Sequence, residues 1–174
     1  MHTNTRRVAQ AVVLVAIGVA LAPFTSFPIG IARVNPTQHF VNILAAVLLG
    51  PWWAVGVATI ISILRNALGV GTVLAFPGSM IGALLAGYVY RSTRNLYLSA
   101  AGEMIGTGLI AAILSALVVA PMIMGQTMAM TALIASFLSS AALGAVIGVL
   151  ALRMLDRAGV VELHQQTTSV ATHD

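Results

Sequence analysis

The sequence contains no cysteine and no lysine, and its four acidic residues are outnumbered two to one by arginine. The absence of cysteine excludes disulfides and thiol catalysis. The absence of lysine excludes a G-x-x-x-x-G-K-[ST] phosphate loop, which uses that side chain to reach the phosphates of ATP. Charged residues make up only 7% of the 174 residues, against about 25% in soluble domains. These shortages indicate a protein with little water-exposed surface and no visible energy source of its own.

Apolar residues are abundant instead: they make up 59% of the chain, and the mean hydropathy is +1.01. This composition predicts an integral membrane protein. Six apolar segments follow one another: 8–24, 40–50, 52–68, 73–90, 96–124 and 128–152. We therefore expect an all-α fold with six transmembrane helices.

The second segment is too short to cross a bilayer alone, because a crossing of ~30 Å takes about 20 helical residues. It is either a short tilted helix or half of a re-entrant hairpin that turns at Gly50 and Pro51. Both alternatives leave the topology of the later segments unchanged. We expect residues 1–158 to form one membrane domain and residues 159–174 to form a flexible polar cytoplasmic tail, in which His164 and His173 are too isolated to bind a metal.

The arginines predict the orientation of the chain in the membrane. With the N-terminus in the cytoplasm, six of them lie inside: Arg6, Arg7, Arg91, Arg94, Arg153 and Arg157. Only Arg33 and Arg65 lie outside, as the positive-inside rule favours, and both termini are then cytoplasmic. The excess of arginine is thus explained by the orientation of the chain in the membrane, and it does not indicate a nucleic-acid partner. A cleaved signal peptide ending at Ala20-Leu21-Ala22 is an alternative for the first segment.

Small residues recur every fourth position in several segments, which favours close helix packing in a membrane. The sixth segment carries the longest of these stripes: Ala132, Ser136, Ser140, Gly144 and Gly148. The simplest interpretation is packing within the chain. The stripe of Ala16 and Ala20 in the first segment is the best candidate for docking another membrane protein, because no polar group beside it suggests an internal role.

Polar side chains converge on the predicted outer end of the bundle. The candidate site residues there are Arg33, Asn35, Gln38, His39, Asn42, Asn66, Phe76 and Ser79. Amide, imidazole and hydroxyl groups are the donors and acceptors that orient a small solute, and residues 33–36 are placed to cover it as a lid. The alternative is a polar loop that only solvates the outer surface.

Two charged residues within the predicted spans need a separate explanation. Glu103 is the sole acidic residue inside a predicted span and should lie in the inner half of the bilayer, away from His39. Its role is either structural, in pairing with an arginine or capping a neighbouring backbone, or functional, in contacting the substrate or transmitting its presence, since an ionised group in a membrane is costly without a role. Arg65, near the end of the third segment, is expected to extend toward the lipid headgroups.

Several motifs together resemble one family of membrane proteins. They are residues 28–42, Leu49-Gly-Pro-Trp-Trp-Ala54, Leu64-Arg-Asn-Ala-Leu-Gly69, Phe76-Pro-Gly-Ser79 and Gly102-Glu-Met-Ile-Gly-Thr-Gly108. In this combination they resemble the ThiW family, whose members are substrate-binding (S) components of energy-coupling factor (ECF) transporters. The resemblance covers about residues 8–155.

The resemblance implies a six-helix S-component fold in a prokaryotic plasma membrane, with the solute site near the outer face. The implied solute is the neutral 4-methyl-5-(2-hydroxyethyl)thiazole, bound by the outer polar residues and Glu103, with Phe76 stacking on its ring. A phosphorylated solute is disfavoured here, because it would call for a denser cluster than Arg33 and Arg65. The implied partners are a transmembrane coupling protein, contacted through Ala16 and Ala20, and two cytoplasmic ATPases that use ATP. The chain itself would bind no cofactor or metal and would not be an enzyme.

Other functions stay open at this point. The same architecture could bind the pyrimidine half of thiamine, or thiamine itself, although a cationic solute would favour an acid at the outer site, where none is expected. An intramembrane enzyme using His39 and Glu103 is disfavoured if the two lie in opposite halves of the bilayer. A structural or assembly protein would not need the clustered polar groups.

Overall fold

The computed structural model describes residues 2–29 and 32–163. Within them, six helices and one two-stranded hairpin follow one another along the chain. Their bounds are α1 His2–Thr25, β1 Phe27–Ile29, β2 Ala32–Val34, α2 Pro36–Leu48, α3 Pro51–Ala67, α4 Ala75–Thr93, α5 Leu96–Ile123 and α6 Met130–Arg157. Each helix matches one predicted apolar segment, while the hairpin was not predicted. Most of the predicted tail, with His164 and His173, lies outside the described residues.

Local signals fix where the central helices begin. The side chain of Asn35 accepts a hydrogen bond from the backbone N–H of Gln38 at 2.9 Å, and Pro36 occupies the first helical turn of α2. Gly50 has a φ of 95°, which a residue with a side chain rarely adopts, and Pro51 then starts α3. The turn between α2 and α3 is therefore at Gly50 and Pro51, as the sequence predicts.

Within the described part of the chain, three helices are long and apolar enough to cross a membrane by themselves: Asn4–Thr25, Leu96–Ile123 and Met130–Arg157. The short helix α2 lies in the middle of the fold, because ten of its 13 residues are buried and it packs against α1, α3, α4 and α6. The fold is thus that of an all-α membrane protein built around a short buried helix.

Small residues let the helices approach closely, as predicted from the stripes. A Cβ added at Gly144 of α6 would lie 2.5 Å from Cβ of His39, so α2 passes directly over this glycine. A Cβ added at Gly82 of α4 would lie 2.8 Å from Oε1 of Glu103. Real Cβ atoms essentially never come this close to another non-hydrogen atom, so neither position has room for a side chain as the helices are packed. The stripes of α4 and α6 therefore serve packing within the chain.

Helix α1 has one buried face and one free face. Gly18 and Ala22 are buried, and a Cβ at Gly18 would meet Ile61 of α3. Ala16 and Ala20 are exposed on the other side of α1. The predicted docking stripe is thus not used for packing among the described residues.

Candidate functional site

A cavity lies among β2 and the helices α2 to α6. The space inside it that water-sized molecules can occupy is about 40 Å³, enough for a few water molecules. Its wall is formed by Arg33, Val34, Asn35, Gln38, His39, Arg65, Thr72, Leu74, Ala75, Gly78, Ser79, Thr107, Ser136, Phe137 and Ser140. The cavity is therefore mixed in character, with apolar side chains on one part of the wall and hydroxyl, amide, imidazole and guanidinium groups on the rest.

The structure brings together part of the site predicted from the sequence. Five predicted residues line the cavity: Arg33, Asn35, Gln38, His39 and Ser79. Four lie outside its wall: Asn42, Asn66, Phe76 and Glu103. Asn42 and Glu103 are fully buried directly behind the wall, where they hold lining residues in place.

Asn66 and Phe76 have other surroundings than the sequence predicts. The side-chain amide of Asn66 donates to the backbone oxygens of Ser62 at 2.8 Å and of Thr72 at 3.2 Å, so it fixes the loop between α3 and α4. Phe76 is half-buried away from the cavity wall, and the aromatic ring that lines the cavity belongs to Phe137 of α6. Phe137 is therefore the aromatic side chain that the described residues place on the cavity wall.

His39 and Glu103 form a buried pair. Nδ1 of His39 lies 2.8 Å from Oε1 of Glu103, and the carboxylate is completely buried. The prediction that these residues lie in opposite halves of the bilayer, away from each other, is therefore wrong: the first turn of α2 lies deep enough in the bundle to contact α5. With Nδ1–H donating to the carboxylate, a neutral imidazole keeps Nε2 as an acceptor for a ligand.

The same carboxylate oxygen binds two further donors. Oε1 of Glu103 accepts from the amide of Asn42 and from the hydroxyl of Thr107, both at 3.1 Å. Thr107 belongs to a π-helical part of α5, Gly106–Ala111, and its hydroxyl also lies 2.8 Å from the backbone oxygen of Gly78. Wider π-turns recur at functional sites. Glu103 thus joins α2, α4 and α5 behind the cavity.

A chain of hydrogen bonds continues from this pair to Arg65. Asn42 accepts from the amide of Gln38 at 3.3 Å, and Gln38 in turn accepts from a guanidinium N–H of Arg65 at 3.2 Å. Arg65 is only 3% exposed and lines the cavity. The expectation that it extends to the headgroups is wrong, because polar partners on α2 and beside the hairpin draw it inward.

The hairpin closes one side of the site. Pro28 pairs with Arg33 across the two strands, and Val34 and Asn35 are both buried. The backbone N–H of Asn35 donates to the hydroxyl of Ser140 at 2.9 Å, which ties the hairpin to α6. That this segment acts as a moving lid stays a prediction.

Sequence reasoning missed several lining residues. Arg65, Thr107, Ser136, Phe137 and Ser140 all line the cavity. Thr107 follows Glu103 by four residues, which places both on one helix face. Ser136 and Ser140 belong to the small-residue stripe, where a hydroxyl on the cavity side cannot be told apart from a packing residue by spacing alone.

A second cavity, at the other end of the bundle, is lined by the cluster Arg7, Arg91 and Arg94. The first turns of α2 and α4 reach the polar site, whereas their last residues, such as Leu48 and Tyr90, reach this second cavity. The site and the arginine cluster therefore mark opposite ends of the protein.

Fold and site together define a helical membrane protein with a mixed polar and apolar cavity among its helices. The family profile of the thiamine-precursor transporter protein (ThiW) matches residues 8–158. The chain therefore belongs to the ThiW family and is a transporter protein rather than an enzyme. Among curated proteins, no match to the chain is found.

Proposed function

We propose that this protein is the S component of an ECF-type importer and that it captures 4-methyl-5-(2-hydroxyethyl)thiazole in the cavity beside His39. The observation that carries the proposal is a buried, mixed polar and apolar cavity in a chain that matches a thiamine-precursor transporter family over residues 8–158. The sequence offers no phosphate loop, so an ATP-driven cycle needs partner ATPases.

The wall suits a small heteroaromatic alcohol. Phe137 and Leu74 offer apolar surface for the ring. The second N–H of the Gln38 amide can donate to the ring nitrogen, because only one is needed for Asn42. Nε2 of His39 can accept from the hydroxyl, because Nδ1 faces Glu103. A few oriented polar groups on an apolar wall are the usual means of selecting such a ligand.

The orientation of the protein follows from its two ends. We place the end with Arg7, Arg91 and Arg94 in the cytoplasm of a prokaryotic cell and the solute cavity toward the outside. All six helices would then cross the membrane, and both termini would be cytoplasmic. The short helices α2 and α3 would span the membrane where the bilayer is locally thinned. The coupling protein would contact Ala16 and Ala20, which are exposed on α1, and two cytoplasmic ATPases would supply the energy.

Thiamine and its pyrimidine half are the competing solutes. Contrary to the sequence-based expectation, an acid does lie beside the site, because Glu103 contacts His39. Its Oε1 nevertheless already accepts from His39 and Asn42. Neither this oxygen nor the fully buried Oε2, which has no hydrogen-bond partner within residues 2–29 and 32–163, belongs to the cavity wall. Arg33 and Arg65 do line the wall. Two guanidinium groups repel a cationic thiazolium, so a thiazole precursor without positive charge fits better than thiamine.

Binding to the purified protein tests this proposal. Titration calorimetry in detergent, without ATP, should show binding of the hydroxyethylthiazole and weaker or no binding of hydroxymethylpyrimidine and thiamine. Mass spectrometry of the ligand that co-purifies from cells provides an independent identification. Tight binding of either competitor, with no response to any thiazole, would reject the assignment of the substrate.

A further inference from the structure

Arg65 has an unusual environment for a charged side chain. It lies in the last turn of α3, is 3% exposed, and lines the cavity. Its two terminal nitrogens donate to Oε1 of Gln38 at 3.2 Å and to the hydroxyl of Ser26 at 3.4 Å. Its Nε is buried and has no hydrogen-bond partner among the described residues. The guanidinium thus donates only to neutral groups, and its Nε–H is left without an acceptor among the described residues.

No carboxylate within the described part of the chain neutralises this charge. The ion pair found there joins His39 to Glu103, not to Arg65. Asp156, in the last turn of α6, accepts from the backbone N–H of Leu163. Glu162 lies beyond the C-terminal end of α6. A buried charge without a counter-ion is costly, and an ionised group inside a membrane protein commonly serves its substrate.

A second guanidinium increases the positive charge of the same cavity. Arg33 of β2 also lines the wall, and it donates to the backbone oxygen of Gly69 at 3.2 Å. It is exposed, so it stands nearer the mouth than Arg65 does. Hydroxyl groups of Thr72, Ser136 and Ser140 line the cavity as well and are further possible donors. The wall therefore offers two positive charges and several neutral donors, and no acidic side chain belongs to it.

From this arrangement we infer that the solute carries an oxyanion, either a carboxylate or a phosphate monoester, which pairs with Arg65. Arginine binds such groups through two parallel N–H donors, and the unused Nε of Arg65 is one of the donors such a fork needs. The inference concerns the charge of the solute, whereas the identity of its heteroaromatic ring rests on the proposed function. The proposed function names the neutral alcohol, so this inference narrows it: the thiazole bound most tightly would be a phosphorylated or carboxylated one.

A panel of matched ligands tests the charge separately from the ring. Calorimetry on the full-length protein would compare hydroxyethylthiazole with its phosphate monoester and with 4-methylthiazole-5-carboxylic acid. The same comparison would use hydroxymethylpyrimidine and its phosphate monoester. At least one anionic form should bind about ten-fold or more tightly than the neutral alcohol of the same ring. Which of the two thiazole anions binds tells a phosphate from a carboxylate.

Variants of Arg65 connect the preference to this side chain. Arg65→Gln should bring the ratio of the two dissociation constants close to one, and Arg65→Lys should retain part of the ratio, because lysine keeps the charge but not the fork. Arg91→Gln, at the opposite end of the bundle, is the matched control and should keep the full ratio. If Arg65→Gln does not yield folded protein, Arg33→Gln at the exposed mouth should still lower the ratio of the dissociation constants. The charge of the solute is in any case decided by the ligand panel measured on the wild-type protein.

Each outcome separates the two proposals. A neutral alcohol that binds as tightly as its anionic forms overturns the oxyanion and leaves the thiazole assignment standing. Binding confined to the pyrimidine pair, with the ester tighter, rejects the thiazole and supports the oxyanion. An unchanged ratio in Arg65→Gln rejects the role of Arg65. Absence of binding by every compound in the panel rejects both proposals.

Discussion

Nδ1 of His39 lies 2.8 Å from Oε1 of Glu103, and this contact joins the buried helix α2 to α5. The same oxygen also accepts from Asn42 and Thr107. One carboxylate therefore fixes the orientation of an imidazole on the cavity wall and organises the two helices around it. The contribution of Glu103 to the stability of the protein and its contribution to solute binding can be measured separately.

Replacing Glu103 should destabilise the protein in proportion to the acceptors that are lost. Glu103→Leu removes the acceptor of His39 Nδ1 and of one N–H of Asn42, and each buried donor left unsatisfied costs roughly 1–3 kcal/mol. The hydroxyl of Thr107 keeps the backbone oxygen of Gly78 as acceptor, and Glu103→Gln keeps one carbonyl oxygen. The unfolding midpoint of the detergent-purified protein should therefore fall further for Glu103→Leu than for Glu103→Gln. Equal midpoints for wild type and both variants would show that this oxygen does not hold the helices together.

His39 should contribute directly to solute affinity. Because its ring lines the cavity, His39→Leu should weaken binding by roughly 1–3 kcal/mol if Nε2 makes a buried hydrogen bond. Asn42→Leu should weaken binding by a similar or smaller amount, because Asn42 acts through Gln38 and Glu103. Calorimetry gives both values. Unchanged affinity in both variants would place the site elsewhere.

The aromatic residue that matters for binding should be Phe137. Phe137→Ala removes the ring that lines the cavity, and the loss of an aromatic pair costs roughly 0.5–1.5 kcal/mol beyond burial. Phe76→Ala is the matched control, because Phe76 lies outside the cavity wall. Dissociation constants measured for both variants decide the matter, and a larger effect at Phe76 would restore the sequence-based choice.

Gly144 should tolerate no side chain. Gly144→Ala places a methyl group against Pro36 and His39 of α2, and overpacking of this kind costs typically about 1–3 kcal/mol. Gly56→Ala is a suitable control, because no atom lies within 4 Å of a Cβ at that position of α3. Thermal unfolding should show a clear loss for the first variant and little change for the second. Equal stability of the two would contradict the close contact of α2 and α6.

The free face of α1 should matter for assembly and not for solute binding. Ala16→Leu and Ala20→Leu change exposed positions and should impair co-purification with the coupling protein while leaving the dissociation constant of the solute unchanged. Ala135→Leu, exposed on α6, is a control of the same size. If the α1 variants lose solute binding instead, this stripe serves internal packing.

Much of the architecture was predictable because it depends on local properties of the chain. The lengths of the apolar runs predict six helices. The starts of α2 and α3 depend only on adjacent residues, namely Asn35, Pro36, Gly50 and Pro51. The motif set was sufficient to indicate the ThiW family, which the match over residues 8–158 confirms. The hairpin of β1 and β2 escaped prediction because its three-residue strands are too short for a clear alternation.

Only the tertiary structure decided which side chains meet. The sequence by itself determined a membrane protein with polar groups near one end, but the depth and rotation of each helix depend on how all six pack together. Glycines on α4 and α6 bring the helices close enough for His39 to reach Glu103 and for Arg65 to turn inward to Gln38. These contacts join residues 64 and 27 positions apart, and no local pattern records such distances.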